Sequence, residues 1–314
     1  MSEPQLILGV GELLWDLLPE GARLGGAPAN FSVMAGRLGD HAMILSRVGN
    51  DALGIQALEL LGALPVDIEA VQMDPRVETG RVSVELKDGQ PSYVIHQPAA
   101  WDELEASEEW LLLAERSSAI CFGSLAQRSE QARRAIEQLV EASGPGCVRV
   151  FDVNLREPYY SAEVLATSIG LASVVKMNDA EVPRVLGLMG MGPQSAAGAN
   201  WQKPQLRAGA ERLLAEFPRL DLVAITCGGN GSLLVRRDEW HDHPGIRIEV
   251  ADTIGAGDAF TAAMTHYLLK GASLARLNEA GNRWGGFVAS HHGAMPDISN
   301  AVRDAMTRKI ETSA

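Results

Sequence analysis

The sequence predicts an α/β fold: a mostly parallel sheet covered by helices on both faces, with a small β-sheet lid beside it. Three observations carry this. Short β-branched apolar runs alternate with longer stretches of helical period, which is how parallel strands connected by crossover helices read. One stretch, 79–97, instead has period 2 and a central Asp-Gly, the mark of a hairpin that cannot belong to a right-handed βαβ series. The chain of 314 residues suits one large or two unequal units, and its 46% hydrophobic and 21% charged residues are those of an ordinary globule.

In chain order, the predicted strands are Gln5–Val10, Ala42–Val48, Ser118–Gly123, Val148–Asn154, Ser173–Asn178 and Asp221–Cys227. Ala29–Leu38 places Phe31, Met34, Ala35 and Leu38 at i, i+3, i+4 and i+7 and stops at Gly39. Asp258–Lys270 places Phe260, Ala263, Met264, Tyr267 and Leu268 on one stripe and stops at Gly271. The hairpin projects as a lid, with Leu13–Leu18 beside it, and its uncovered strands call for a cleft or a second subunit. Residues 1–12, 24–78 and 102–314 are assigned to the core, and 13–23 and 79–101 to the lid. Gly187–Pro204 has no period and is expected to be a long surface loop.

Composition narrows the function. With 27 Lys+Arg against 40 Asp+Glu the net charge is −13, so nucleic acid is an unexpected partner. No apolar run approaches the ~18 residues of a membrane span, and no export signal precedes the first strand, so a cytosolic protein is expected. Cys121, Cys147 and Cys227 lie far apart in apolar stretches and read as small core residues. The adjacent His291 and His292 lack a carboxylate or thiol at ligand spacing and read as surface or nucleotide-edge residues. The dinucleotide, P-loop and nucleophile-elbow glycine motifs are all absent.

Two other glycine-rich helix entries carry chemistry. In Asp252-Thr253-Ile254-Gly255-Ala256-Gly257-Asp258, small residues let the amides of Gly255, Ala256 and Gly257 converge at a helix start, a setting for a phosphoryl group. Asp258 at its lip can take the proton of an attacking hydroxyl; taken alone, it reads equally as a helix cap. In Leu24-Gly25-Gly26-Ala27-Pro28-Ala29-Asn30, the glycines allow close approach of a ligand and Asn30 offers a donor and an acceptor, though a plain Gly-Pro turn is the blander reading. Asp16 after the first strand can accept from two hydroxyls. His96 in the lid can reach a hydroxyl or serve as a cross-strand polar residue.

Together, GGAPANFSVMAGRLG and DTIGAGDAF, in this order, resemble the two signatures of the PfkB, or ribokinase-like, carbohydrate kinases. GELLWDLLPEG, SRVGNDALG, IHQPAAWDEL, FDVNLR, NDAE and TCGGNGSLL follow in family order, and GGAPAN and the lid segment look most like fructokinases. The resemblance implies a ribokinase-like fold and transfer of the γ-phosphoryl of ATP to a hexose hydroxyl, most of all that of fructose. Asp258 matches the base, and Gly255, Ala256 and Gly257 the anion hole. Asp16, Gly26, Asn30 and Arg156 match sugar-side positions. Asn178, Thr226, Gly228, Gly231 and Gly257 match the ATP side, and Glu181 matches a magnesium-organising residue acting through water. Asp252, Ile254 and Gly293 stand near a monovalent-cation site, for K+, in relatives; Asp297 replaces a Ser found in some. The hairpin Val82–Ile95, whose outer face and edge the chain leaves uncovered, leads to the expectation of a homodimer through the lid. The alternatives are a kinase for another sugar or a sugar acid such as 2-keto-3-deoxygluconate, and a non-catalytic nucleotide- or sugar-binding protein on the same fold.

Overall fold

The computed structural model describes residues 5–18, 21–87, 90–192 and 201–313, without the side chains of 84–87 and 90–93. Its centre is an eight-stranded sheet of β1 (Leu6–Val10), β4 (His41–Leu45), β9 (Ala119–Gly123), β10 (Val148–Asp152), β11 (Val174–Asn178), β12 (Leu222–Thr226), β13 (Ser232–Val235) and β14 (Trp240–His243). Their order is β14-β13-β12-β11-β10-β9-β1-β4, with every pair parallel except β12–β13 and β13–β14. The strands read as continuous apolar runs because both faces are covered. Successive residues alternate between two cores: Ile120 and Phe122 face one, Ala119 and Cys121 the other.

The first core is closed by α3 (Glu108–Arg116), α4 (Glu130–Ala142), α5 (Ala162–Leu171), α6 (Glu181–Leu188) and α7 (Lys203–Glu216). The second is closed by α1 (Ala27–Leu38), α8 (Ala256–Leu269), α9 (Leu274–Ala289) and α10 (Asn300–Thr312). Helix α8 lies between α1 and α9 and is buried nearly all round, so its apolar residues exceed one stripe. The two predicted stops hold: Gly39 and Gly271 have φ of 102° and 69°, the left-handed turn-out that glycine makes without strain.

The lid is a four-stranded sheet of β2 (Leu14–Leu18), β3 (Gly21–Gly25), β7 (Gly80–Lys87) and β8 (Gln90–Ile95), in the order β3-β2-β7-β8. β2 pairs in parallel with β7, so the first strand's continuation does lie beside the hairpin. The Asp88-Gly89 turn lies outside the described residues, as does 193–200 of the expected long loop. The small sheet contains one strand more than expected: Gly21–Gly25, for which no strand was predicted, pairs with β2.

A second difference concerns Ala42–Val48, which is two strands. β4 ends at Leu45, and β5 (Arg47–Gly49) leaves the main sheet to pair with β6 (Gln72–Asp74). The break falls at buried Ser46, whose hydroxyl donates to Gly11 O at 2.7 Å. Helix α2 (Ala52–Gly62) then packs Ala57 and Leu61 against Leu13, Trp15 and Val33, filling the joint between lid and core. At the other end of the lid, the Arg128 guanidinium stacks on Trp101 at 3.8 Å, donates to both Asp102 oxygens at 2.7 and 2.8 Å, and donates to His96 O at 2.9 Å.

Gly36 in α1 makes a test of packing against propensity. A Cβ there would lie 1.6 Å from the Pro65 carbonyl oxygen, a backbone atom that cannot rotate away. Ala in place of Gly gains about 1 kcal/mol of helix propensity, while overpacking costs about 1–3 kcal/mol. Gly36→Ala should therefore lower the melting temperature by thermal denaturation; a rise would show that α1 and the Pro65 turn are not in contact.

Candidate active site

The parallel strands deliver their following loops to one end of the sheet, and the loops after β1, β10, β11 and β12 converge there with the starts of α1 and α8. α8 begins two residues before the expected start. Gly255 is its left-handed cap, with φ 76°, and a Cβ there would meet Ala294 at 2.5 Å. Asp258 thus sits in the first turn and not at the cap, and its side chain makes no capping bond. Its Oδ2 instead accepts from Asn30 Nδ2 of α1 at 2.7 Å, so the two glycine-rich entries, 228 residues apart, meet side chain to side chain.

Burial raises the Asp258 carboxyl to about 6, with the Asp152 charge adding to it; the Asn30 bond, Lys176 and Arg156 act in the opposite sense. Such a carboxylate is a base matched to neutral pH. Behind it lies a buried group that the sequence reading left unassigned. Lys176 Nζ bonds Asp152 at 3.1 and 3.2 Å, and Thr261 Oγ1 donates to Asp152 at 2.9 Å. Lys176 lies hard against Gly257, where a Cβ would meet Nζ at 2.9 Å. Neighbouring Asp152, Glu181 and Asp258 hold Lys176 above its ordinary proton affinity despite its burial, so a fixed positive charge underlies the anion hole. A charged residue inside the apolar runs VVKMN and VFDVN was the available signal.

The sugar-side candidates face this point from the lid and from the loop after β10. Gly26 has φ 117°, and a Cβ would come 2.3 Å from Glu12 O, so only glycine passes there. Asp16 on β2 is raised by burial against the opposing pull of Arg156 and Arg23. Arg156 is exposed and its field reaches Asp16, Glu12 and Asp258, which places its charge over the cleft. His96 has its Nε2 2.8 Å from Ser83 Oγ across the hairpin.

On the nucleotide side, Thr226 ends β12 and Gly228 and Gly231 turn the chain with φ of 54° and 82°. A Cβ at Gly231 would meet His243 O at 2.0 Å, whereas Gly228 and Gly229 face open space and present bare backbone. Asn178 and Glu181 form a reciprocal pair: Glu181 N donates to Asn178 Oδ1 at 2.9 Å, and Asn178 N donates to Glu181 Oε2 at 2.8 Å. Leu155 N donates to the other Glu181 oxygen at 2.8 Å. Among the described residues no three His, Cys, Asp or Glu side chains cluster as a metal cage. This donor set fits a hydrated magnesium ion carried on phosphate, with Glu181 reaching it through water.

Asp252, Ile254 and Gly293 are also brought together. Asp252 accepts from the amides of Ile254 and Gly293 at 3.0 and 3.1 Å and from Arg23 Nη1 at 3.2 Å. With its carboxylate so taken up, a monovalent cation there would be left to backbone carbonyls. The lid residue Arg23 thereby ties β3 to the segment that leads into α8. Asp297 is exposed and lies 3.5 Å from Arg37, which also donates to Met295 O at 3.0 Å and so fixes the loop behind Gly255. His291 and His292 are exposed. All three cysteines are buried and unpaired.

A lidded α/β sheet with a buried carboxylate beside a helix start can enclose a small molecule against a site for anions. The model of the pfkB family of carbohydrate kinases matches residues 21–301, and the chain belongs to that family. An uncharacterized sugar kinase of Pyrococcus horikoshii is 31% identical over 296 residues, spanning 88% of this chain and 87% of its own. Its structure in complex with ATP superposes with a TM-score of 0.77 at 27% identity, covering 97% and 99% of the two chains. Fructokinase-1 of Zea mays is 26% identical over 321 residues, 94% of each chain. The fructokinase of Vibrio cholerae in its fructose, ADP and calcium form shares the fold, with a TM-score of 0.78 at 24% identity over 96% and 98% of the chains. The protein is a sugar kinase. No described helix is long and apolar enough to cross a membrane.

Raising Asp258 to about 6 has a cost in stability. Ionisation is harder in the fold than in the unfolded chain, so stability is lost as pH rises from the ordinary value of 3.8 through about 6. Asp258→Asn lacks this cost. It should melt at least ~2 °C above the parent at pH 8, with the gap closing as pH falls from 6 to 4; equal melting temperatures throughout would contradict the shift.

Proposed function

We propose that the chain transfers the γ-phosphoryl group of ATP to a hydroxyl of fructose. The observation that carries the reading is Asp258 at the first turn of α8, held by Asn30 beside the amides of Gly255, Ala256 and Gly257. The sugar enters between the lid and the α1 start, where Asp16 and Asn30 offer partners for hydroxyls. Asp258 accepts the proton of the attacking hydroxyl as its oxygen approaches phosphorus, and the P–O bond to ADP breaks in line. The amides, with Lys176 beneath them, stabilise the charge on the transferring oxygens without reorganising. Magnesium, held near Glu181 through water, would neutralise the triphosphate. The bare backbone of Gly228 and Gly229 supports the nucleotide, and the lid excludes competing water.

Charge supports a neutral sugar over a sugar acid. Asp16 and Asp258 face the cleft, and among the described residues Arg156 is the cation there that is not already bonded to a carboxylate. A second carboxylate on the substrate would add repulsion. The fructokinases among the relatives agree with this choice. A coupled assay with a sugar panel tests it: kcat/KM should be higher for fructose than for 2-keto-3-deoxygluconate. Asp258→Asn should lose at least ~10²-fold in turnover while still binding ATP. Preference for the sugar acid would move the substrate assignment to Arg156, and near-normal turnover of Asp258→Asn would remove it as the base.

A further inference from the structure

Glu12, on the turn after β1, is a carboxyl to which neither the sequence nor the mechanism above gives a task. It is only 3% exposed, yet its Oε2 has no hydrogen-bond partner and no Lys or Arg pairs with it among the described residues. Its backbone is locked to the entry of α1, since only the missing Cβ of Gly26 lets the two chains pass. The Glu12 and Ala27 amides face its carboxyl, which sets it at the α1 N-terminus. Asn30, one turn into α1, also has a buried oxygen, Oδ1, with no partner, while its nitrogen is spent on Asp258. Two buried, unsatisfied oxygens thus lie at one helix start, beside the base. Each such group is destabilising unless something supplies the missing bond.

We propose that Glu12 is a second sugar-contacting carboxyl, whose Oε2 pairs with a sugar hydroxyl next to the one that Asp258 activates. The proposal rests on the sugar-kinase reading of this cleft and deepens it. The charged groups that face Glu12 are Asp258 on α8 and Arg156 on the loop after β10; Asp152 and Lys176 behind Asp258 neutralise each other. Burial foremost, with the Asp258 charge, raises the Glu12 carboxyl to about 7, against its amide bonds and Arg156. Burial raises both carboxyls and the Asp258 charge raises Glu12 further, so the pair holds a proton near neutral pH, and where Glu12 carries it Asp258 stays ionised as the base. A neutral acid donates where Asp258 and Asp16 can only accept, so the three together present both halves of what a polyhydroxylated sugar needs. A polyol hydroxyl can at once accept from Glu12 and donate to Asn30 Oδ1.

The test compares Glu12→Leu, Glu12→Gln and the parent by steady-state kinetics with fructose and ATP from pH 5.5 to 8.5, with circular dichroism to establish folding. Glu12→Leu should raise the fructose KM at least ~10-fold and leave the ATP KM within about twofold, because a pocket built to pair hydroxyls is left unpaired. Glu12→Gln, neutral and still a donor, should lose less at pH 6. The parent's fructose KM should rise about threefold or more as pH passes 7, and that rise should vanish in Glu12→Gln. A folded Glu12→Leu of lower melting temperature but parental fructose KM would overturn the proposal in favour of a packing role. If Glu12→Leu does not fold, an identical pH dependence in Glu12→Gln and the parent overturns it equally. A parent that turns over no sugar would overturn the kinase reading itself, an outcome distinct from either.

Discussion

The hydrogen bond from Asn30 to Asp258 is the contact on which the site depends. It joins the starts of two helices that the chain makes 228 residues apart, one entered through Gly25-Gly26 and the other through Gly255-Ala256-Gly257. Both helices pack on the same face of the sheet and against each other, so the bond is held by apolar burial of Phe31, Met34, Phe260 and Met264 on either side. Both N-termini point at one place. Their amides and partial positive charge make it a place for anions, and the two glycine entries keep side chains out of the way.

A helix start that attracts phosphate also stabilises a carboxylate, which would leave Asp258 too weak a base. Burial and the Asp152 charge counter this, and the result is a proton affinity near 6. Asp152 does not add net charge to the interior, because Lys176 and Thr261 hold it. The buried ion pair is therefore less a source of stability than a fixed electrostatic floor: positive under Gly257, negative toward the base. Glu12 belongs to the same arrangement, as a second buried carboxyl whose proton affinity burial and the Asp258 charge both raise.

Much of this was legible in the sequence, and the limits have physical causes. The parallel strands of the main sheet announced themselves because burial on both faces demands unbroken apolar runs, whereas the antiparallel β13 and β14 at its edge were not among the predicted strands. Each glycine entry read alone equally well as a cap or a plain turn, and only the two together, in that order, stood out. The division of Ala42–Val48 was hidden because β4 and β5 are both buried, and only the Ser46 bond to Gly11 shows where one sheet gives way to another. β3 was hidden because Gly21–Gly25 is short and runs into the glycine entry of α1. Lys176 and Asp152 were visible as charges within apolar strands, but what they pair with is set by parallel register between β10 and β11, which no local pattern carries. The contact of His96 with Ser83 across the hairpin depends on strand register, which no local pattern carries. The Arg128, Trp101 and Asp102 unit, spread over 28 positions of sequence, had no local signature at all.

The claim that the two helix starts act as one catalytic unit is tested most directly by the pH dependence of kcat/KM in Asn30→Ala. The Asn30 bond lowers the proton affinity of Asp258, so its removal should move the acid limb upward from about 6, by an amount read as a shift of the midpoint, while Asp258 remains in place. Turnover at pH 6 should fall more than turnover at pH 8. A variant whose acid limb stays where the parent's lies, with turnover reduced equally at every pH, would contradict the account, since Asn30 would then bear on the sugar alone and not on the base.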